Sequence, residues 1–387
     1  MINDRRNSNA LWPPSAIKPS GALTAIKIVA GIFAALVALL LGLIVLLLIG
    51  VETGPIALLV GLVSATLPVP LYLLLVLWID RYEAEPFWML ATAFFWGALV
   101  AVFFAFLINT VSGVAVAVAT NSMRAGRTFG AVISAPIVEE SAKALILLIF
   151  FFWKKDEFDG VIDGIVYAAM AGLGFAMTEN IQYYGKAVME GGGEKLTFVL
   201  ILRGALAPFS HPMFTSFTGI GLGLARQSRS TALKWIAPPL GLLAAISMHS
   251  IWNGSGILFG GGAFILTYVL IMIPAFFIML VVIALALRRE GQIVREFLVP
   301  DFQGGLLTPE EYRRLGSITG RMGNSFSALS RGGYSHWRAA RRLNQTASEL
   351  AFHRSRVARG ITAADARERE AAYQLALQEL LKLLRSK

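Results

Sequence analysis

Two glutamates and a lysine lie inside a long apolar run, in the stretch Ala135-Pro136-Ile137-Val138-Glu139-Glu140-Ser141-Ala142-Lys143. On a helix, Glu139 lies four positions before Lys143 and Glu140 lies three before it, so both carboxylates can approach the ammonium. Burying these charges in hydrocarbon costs several kcal/mol even when they pair. A segment that only crossed a membrane would carry leucine instead. We therefore interpret the stretch as functional, and the alternative is an ion-paired kink inside a helix bundle.

The composition is that of a polytopic helical membrane protein. Of 387 residues, 56% are hydrophobic and 15% are charged, a balance typical of this class. Cysteine is absent, which excludes disulfides, thiolate metal ligands and cysteine nucleophiles. From residue 288 onward the chain contains 18 Lys and Arg residues and 10 Asp and Glu residues, a net charge of +8. The preceding residues contain 16 Lys and Arg and 14 Asp and Glu, a net charge of +2. This basic part predicts contact with anionic lipid headgroups and none with nucleic acid.

Hydropathy predicts an all-α protein with about eight transmembrane helices, each near or above the ~20 residues that a bilayer requires. The predicted spans cover about residues 21–50, 55–79, 87–111, 127–152, 160–184, 198–225, 235–256 and 264–287. The predicted organisation is a polar cytoplasmic N-terminus (1–20), two N-terminal spans (21–78), a core (79–288) and a basic cytoplasmic helical tail (289–387). Lys and Arg in the short loops favour a plasma-membrane protein with both termini in the cytoplasm.

The tail contains its own helix signals. Thr308-Pro309-Glu310-Glu311 predicts a capping box with proline at the first helical position. The Gly- and Ser-rich piece 316–333 predicts a linker. Residues 362–365 predict the start of a last helix, which carries Leu377 and Leu381 on one apolar face.

The fifth, sixth and seventh predicted spans each carry candidates for a common site. These are Phe175, Glu179 and Asn180 in the fifth span, His211 in the sixth, and His249 and Asn253 in the seventh. Counting 1.5 Å per residue from the outer end of each span places Glu139, Glu179, His211 and His249 about 9 to 20 Å deep. We therefore expect these groups to form one polar layer in the outer half of the bilayer.

This inventory suits the activation of water. A buried glutamate can take a proton from water and return it to a leaving amine. We expect Glu139 to pair with Lys143, because Glu at position i with Lys at i+4 is the favoured orientation, which leaves Glu140 as the general base. Two histidines and a carboxylate are also the ligand set of a catalytic zinc, here assembled from three helices because the H-E-x-x-H spacing is absent. Activation by glutamate without metal remains an alternative.

A proton- or ion-coupled transporter is the competing class of function. In that case Lys143 and Arg203 would form a relay with the intramembrane carboxylates. Transporters usually show paired repeats with broken helices in corresponding halves. Here the unusual groups fall in spans four to seven and the Glu-Glu-x-x-Lys piece is not repeated, which favours an enzyme. A catalytically inactive scaffold is the third hypothesis.

Taken in order, these motifs resemble the PrsW family of intramembrane proteases, relatives of the CAAX prenyl endopeptidases in the Abi superfamily. The matching pieces, within about residues 79–288, are Asp80-Arg81-Tyr82-Glu83-x-Glu85-Pro86, Glu139-Glu140-x-x-Lys143, Asp163-Gly164-Ile165-Val166-Tyr167, Gly172-Leu173-Gly174-Phe175-x-x-x-Glu179-Asn180, His211 and His249-x-x-Trp252-Asn253. The resemblance implies hydrolysis of a peptide bond within or beside the membrane, as in regulated proteolysis.

The resemblance also implies roles for single residues. The catalytic carboxylate would be Glu139 or Glu140, beside Lys143, and the site would be completed by Glu179, His211 and His249, which are the zinc ligands if zinc is bound. Asn180, Asn253 and Phe175 would support them. Glu179 stands where the prenyl endopeptidases have a histidine, which argues against a prenylated substrate. The implied partner is a membrane-protein substrate; anti-sigma factors are associated with the family, and the substrate of this chain stays open.

Overall fold

The computed structural model describes residues 21–360 and 365–385, with side chains from Ala25 onward. Every regular element in these ranges is helical, which confirms the all-α class. The predicted N-terminal segment 1–20 and most of the predicted helix start 362–365 lie outside the described residues. The α-helices are α1 (Gly21–Thr53), α2 (Pro55–Thr66), α3 (Val69–Ile79), α4 (Phe87–Phe95), α5 (Val102–Ala119), α6 (Met123–Phe129), α7 (Ala135–Trp153), α8 (Val161–Val199), α9 (Ser210–Gln227), α10 (Thr231–Thr267), α11 (Ile273–Phe297), α12 (Val299–Gln303), α13 (Pro309–Leu315), α14 (Ile318–Ala358) and α15 (Ala366–Arg385).

Five stretches among the described residues are long and apolar enough to cross a membrane, in agreement with a polytopic membrane protein. They are Ala25–Thr53, Pro55–Ile79, Phe87–Ala119, Val161–Gln227 and Thr231–Phe297. The last two contain 67 residues each and are interrupted by glycines with positive φ, Gly192 at +58° and Gly260 at +82°. Helix α7 is not among the five because three charged residues interrupt its apolar sequence. The total of eight passes therefore stays a prediction.

The described chain divides into two compact units. One contains Ala25–Asp80 and Glu85–Ile283, and it holds every residue of the candidate site. The other contains Arg81–Ala84 and the chain from Ala284 onward, so that the boundary falls within α11.

Helix α8 is buried along most of its N-terminal half, and glycines set how closely its neighbours approach. A Cβ added at Gly172 would lie 2.7 Å from the backbone nitrogen of Pro212 in α9. A Cβ added at Gly174 would lie 1.9 Å from the carbonyl oxygen of Phe94 in α4. Only glycine permits both contacts, because any side chain here would push the helices apart. The close contact with α9 holds the start of that helix, which carries His211, against α8.

Buried carboxylates fix the N-terminal end of α8. Asp163 Oδ2 accepts hydrogen bonds from the backbone N–H groups of residues 159 and 160, at 2.8 and 2.7 Å, which caps the helix. The hydroxyl of Tyr167 donates to Glu85 Oε2, and the N–H of Glu85 donates to Asp80 Oδ2 at 2.8 Å. Burial, reinforced by the carboxylate of Asp163, raises the pKa of Asp80 to about 7. These bonds tie the residues on either side of the 81–84 segment to the helix that carries Glu179.

The second unit confirms one tail prediction and overturns another. Thr308 Oγ1 accepts from the N–H of Glu311 at 3.3 Å, and Glu311 Oε2 accepts from the N–H of Thr308 at 2.8 Å, which is the predicted capping box. The predicted linker over 316–333 is wrong, because α14 runs through it with a break only at Gly332–Gly333. Small side chains of this piece, Ser325 and Ala328, are buried, and such packing overrides the weak helix propensity of a Gly- and Ser-rich composition. Contact of the tail with lipid headgroups stays a prediction.

Candidate active site

Helix α7 carries the charged stretch into the interior of the first unit. Glu139 is 6% exposed, and Glu140 and Lys143 are 0% exposed. Pro136 lies in the first turn of α7, and it has no N–H to donate to the helical segment before it. The preceding residues, Gly130–Ser134, form a π-helical segment, a type of helical irregularity that is frequent at functional sites.

Lys143 pairs with Glu140, so the predicted pairing with Glu139 is wrong. The Nζ atom of Lys143 lies 2.6 Å from Glu140 Oε1. The same oxygen lies 3.0 Å from His249 Nδ1, and Glu140 Oε2 accepts from Thr215 Oγ1 at 2.8 Å. The favoured i,i+4 orientation is worth only about 0.2–0.5 kcal/mol. It is outweighed by buried hydrogen bonds from α9 and α10, which sequence spacing within α7 does not reveal. Both oxygens of Glu140 are therefore engaged.

Glu139 points away from this pair and towards two imidazoles. Its Oε2 atom lies 3.9 Å from His249 Nε2. One ligand atom each from Glu139, His211 and His249 can be chosen so that all three lie within 4.8 Å of one another. Among the described residues no group bonds Glu139 Oε2, although this atom is buried. An unpaired buried carboxylate oxygen is costly, so this atom marks the place where a water or a cation is most favourable.

His211 connects the charged pair to a second glutamate. Its Nδ1 lies 3.1 Å from Lys143 Nζ, and its Nε2 lies 2.9 Å from Glu179 Oε2. An ammonium can only donate, so Nδ1 accepts and Nε2 carries the hydrogen given to Glu179. Phe175 covers both partners, with its ring centroid 4.4 Å from Lys143 Nζ and 5.3 Å from that of His211. Phe175 thus shields the pair of Lys143 and His211.

Arg203 holds Glu179 in place. Its Nη2 donates to Glu179 Oε2, its Nε donates to Asn180 Oδ1 at 2.6 Å, and its guanidinium lies 3.8 Å from the ring centroid of Tyr183. The ligand set of Glu179, His211 and His249 stays a prediction, and the three groups whose possible ligand atoms converge in the structure are Glu139, His211 and His249. Glu179 is drawn instead into the ion pair with Arg203.

Asn253 and Phe214 hold parts of the two helices that carry the histidines. Asn253 Nδ2 donates to the carbonyl oxygen of Ala131 at 2.9 Å, which ties α10 to the π-helical segment before α7. Phe214 stacks on His249, with ring centroids 5.3 Å apart and planes at 24°. The planes of the two imidazoles are nearly perpendicular, at 86°. The structure thus brings together every site residue that the sequence predicted, in altered pairings.

A cavity of about 400 Å³ opens onto the two glutamates that Lys143 does not hold. Glu139, Glu179 and Asn253 line it together with apolar side chains of α1 and α5, such as Ile49 and Val102. Glu140 and Lys143 do not line it. Two further polar residues near Glu139 and Glu140, Asn109 and Thr215, were missed by the sequence analysis. The sequence did contain a signal for each residue: Asn109 is the lone amide of the apolar third predicted span, and Thr215 follows His211 by one helical turn.

Comparison with known proteins places this site in a family. The model of the PrsW family intramembrane metalloproteases matches residues 85–279, half of the chain. Protease PrsW of Geobacillus kaustophilus is 33% identical over 147 residues, which are 38% of this chain and 58% of that protein. Protease PrsW of Bacillus subtilis is 32% identical over 176 residues, 45% of this chain and 72% of that protein. Protease PrsW of Oceanobacillus iheyensis is 29% identical over 233 residues, which are 60% of this chain and 97% of that protein.

No solved structure matches the chain. The family model spans α4 to α10 and the start of α11, so it covers every residue of the candidate site. The match confirms the family that the motifs resembled and, for that family, the predicted class of intramembrane hydrolase. The chain belongs to the PrsW family of intramembrane metalloproteases.

Proposed function

We propose that this chain hydrolyses a peptide bond of a membrane-protein substrate, in the outer half of the bilayer. The observation that carries the proposal is the unpaired Oε2 of Glu139, which is buried beside His211 and His249 at a cavity. A transporter relay would need mobile charges, whereas Lys143 and Arg203 are both held in ion pairs. Among membrane-protein substrates, an anti-sigma factor is the specific candidate that the family resemblance suggests.

The residues fit a zinc ion at Glu139, His211 and His249. Two imidazoles and one carboxylate are a zinc ligand set with a fourth position open for water. Glu140 accepts a hydrogen from Nδ1 of His249, which leaves Nε2 of that ring free towards Glu139, the usual support of a metal-binding histidine. An ion held by either ring nitrogen of His211 would take the place of that nitrogen's present partner, Lys143 Nζ at 3.1 Å from Nδ1 or Glu179 Oε2 at 2.9 Å from Nε2. Bound there, zinc would lower the pKa of water and polarise the substrate carbonyl.

Side chains of the protein orient the ligands and transfer the proton. Glu140, held by Lys143 and Thr215, orients His249. Glu179 is the other carboxylate at the cavity, and we assign it the proton that leaves the attacking water and later reaches the leaving amine. Arg203 keeps Glu179 in position. Glu140 is unsuited to that proton transfer, since it is fully buried and does not line the cavity.

Removal of the metal should abolish cleavage and lower the thermal stability of the protein. We expect purified protein to contain about one equivalent of zinc, and treatment with 1,10-phenanthroline to stop cleavage of quenched-fluorescent single-span peptides in proteoliposomes. The thermal midpoint should fall as well, because a ligand at 100 times its Kd stabilises the folded state by about 2.7 kcal/mol. Added zinc should restore both readouts.

Two histidine variants, one in the site and one in the tail, test the metal prediction and provide its control. His211→Ala should lose most of the metal, whereas His336→Ala, which changes a histidine of the tail bonded to the carbonyl of Gly332, should keep it. Metal-free protein with full activity would rule out the zinc site and leave Glu139 itself as the proton acceptor.

The proposed orientation, with both termini cytoplasmic, can be tested because the chain contains no cysteine. Gly193 is suited to substitution, since a Cβ there meets nothing within 4 Å. We expect Gly193→Cys to react with an impermeant maleimide in intact cells. Asp156→Cys, in the exposed loop after α7, should react only after lysis. The reverse labelling pattern would invert the topology and remove the basis for placing the site in the outer half of the bilayer.

A further inference from the structure

Asn109, on α5, lines the cavity beside Glu139 and has no part in the chemistry described so far. Its Nδ2 atom lies 3.5 Å from Glu139 Oε1, at the limit of a hydrogen bond. It is an isolated amide in an apolar part of α5. A polar group in such a place needs a structural or chemical reason.

Two serines determine which way this amide faces. Asn109 Oδ1 accepts from Ser134 Oγ at 2.8 Å, and Ser134 Oγ accepts from Ser112 Oγ at 2.8 Å. A flipped amide would place Oδ1 against the carboxylate oxygen of Glu139, so that two acceptors would face each other. The NH₂ group is therefore held towards Glu139 and the cavity, by hydrogen bonds on one side and by charge on the other.

The nitrogen of Asn109 has hydrogen-bonding capacity to spare. An amide NH₂ carries two hydrogens, and within the described part of the chain the Asn109 nitrogen makes only the long contact to Glu139. Two other amides that line the cavity are engaged by shorter bonds. Asn253 Nδ2 donates to Ala131 at 2.9 Å, and Gln182 Nε2 donates to Glu52 at 2.7 Å. Asn109 is thus the cavity amide best able to donate to a substrate.

We propose that Asn109 donates an N–H to the oxygen of the scissile carbonyl while that oxygen becomes negatively charged. The inference rests on the proposed peptidase function. As the water oxygen bonds to the carbonyl carbon, the π electrons move onto the carbonyl oxygen and a water proton moves to Glu179. When the C–N bond breaks, those electrons re-form the C=O bond and the amine nitrogen takes the proton. A donor fixed in advance stabilises the charged intermediate more than the substrate.

The test measures kcat, KM, metal content and thermal midpoint with quenched-fluorescent single-span peptides that wild-type protein cleaves. Asn109→Leu keeps the size of the side chain and removes the donor. We expect kcat to fall about 10²- to 10³-fold, as for loss of one oxyanion donor, with KM, metal content and midpoint unchanged. A phosphinic analogue of the best peptide should bind more weakly by the same factor, because it mimics the tetrahedral intermediate.

Two further variants keep the test decisive. Ser134→Ala removes the hydroxyl that holds Oδ1 and lets the amide rotate, so it should lower kcat in the same sense but by less, even if Asn109→Leu folds poorly. Thr120→Val, at the residue that follows the same helix, removes a hydroxyl that donates to the carbonyl oxygen of Val116 at 2.7 Å, and should behave as wild type.

Failure of this inference is separable from failure of the proposed function. If Asn109→Leu retains the wild-type kcat while Glu139→Gln is inactive, Asn109 is not an oxyanion donor. If kcat falls together with metal content or thermal midpoint, Asn109 acts through the structure and the inference is also overturned. If both variants cleave normally, the proposed site is wrong together with the role of Asn109, and if the wild-type protein cleaves no peptide, the peptidase function itself is wrong.

Discussion

Glu139→Gln should reduce cleavage by about 10³-fold or more and remove most of the bound metal, while the protein still folds. Loss of a residue central to catalysis commonly costs this much. The amide of glutamine has the shape of the carboxylate but carries no charge, and its NH₂ group would donate towards Nε2 of His249, which now lies 3.9 Å from Glu139 Oε2. Since Oε2 is unbonded among the described residues, its replacement breaks no hydrogen bond of the fold. Thermal stability of the metal-free protein should therefore stay close to wild type.

Glu179→Gln is the informative companion, because the two carboxylates share the cavity but not the proposed role. We expect it to retain metal, with affinity lowered about 10- to 100-fold as for loss of a residue that supports a ligand, and to lower kcat. Glu190→Gln, which changes an exposed carboxylate paired with Lys195, is the matched control and should leave both readouts unchanged. Normal cleavage by Glu139→Gln would remove the main support for the proposed site.

Glu140→Gln should destabilise the protein by about 3–5 kcal/mol, the usual cost of leaving a buried ion-pair partner without its counter-charge. Lys143 is 0% exposed and would keep only uncharged groups beside its ammonium, namely the new amide, Nδ1 of His211 and the ring of Phe175. Glutamine can still accept from Nδ1 of His249, so the chemistry should suffer less than the stability. This outcome reverses the expectation from helix spacing, in which Glu140 was the base and Glu139 the partner of Lys143. Thermal midpoint and cleavage, measured on the same preparations, decide between the two assignments.

A double substitution tests whether the unpaired charge is the cause. Lys143→Met combined with Glu140→Gln removes the stranded ammonium and should recover most of the stability, since buried ion pairs are often replaceable by apolar groups. The exposed pair of Glu190 and Lys195, with side chains 58% and 46% accessible, provides the comparison, because Glu190→Gln should leave the thermal midpoint almost unchanged. A Glu140→Gln protein as stable as wild type would show that Lys143 finds another partner.

The site was largely predictable because its members are chemically conspicuous against an apolar background. Glu139, Glu179, His211 and His249 stand out in spans where charge and imidazole are expensive, and counting along each predicted span assigned them to one layer. The pairings were not predictable. Helical spacing relates Glu139, Glu140 and Lys143 to one another only within α7, whereas the groups that bond Glu140 come from Thr215 in α9 and His249 in α10.

Residues with ordinary side chains were harder to predict than the charged ones. Asn109 is an amide among many polar residues of the chain, and only its position beside Glu139, together with the bonds from Ser134, gives it significance. The predicted linker over 316–333 failed for a related reason. Its glycines and serines have only a weak intrinsic preference for helix or coil, and the burial of Ser325 and Ala328 stabilises the helical conformation.

The amino-acid sequence by itself determined the helical membrane class, the family and the set of candidate site residues. These depend on hydropathy and on residue identity, which are properties of each segment alone. Only the tertiary structure decided that Lys143 neutralises Glu140, that Arg203 takes Glu179, and that Glu139 is left with an unbonded oxygen beside two imidazoles. The physical reason is that a buried charge takes the partners that neighbouring helices bring to it, and those contacts outweigh the few tenths of a kcal/mol that spacing along one helix provides.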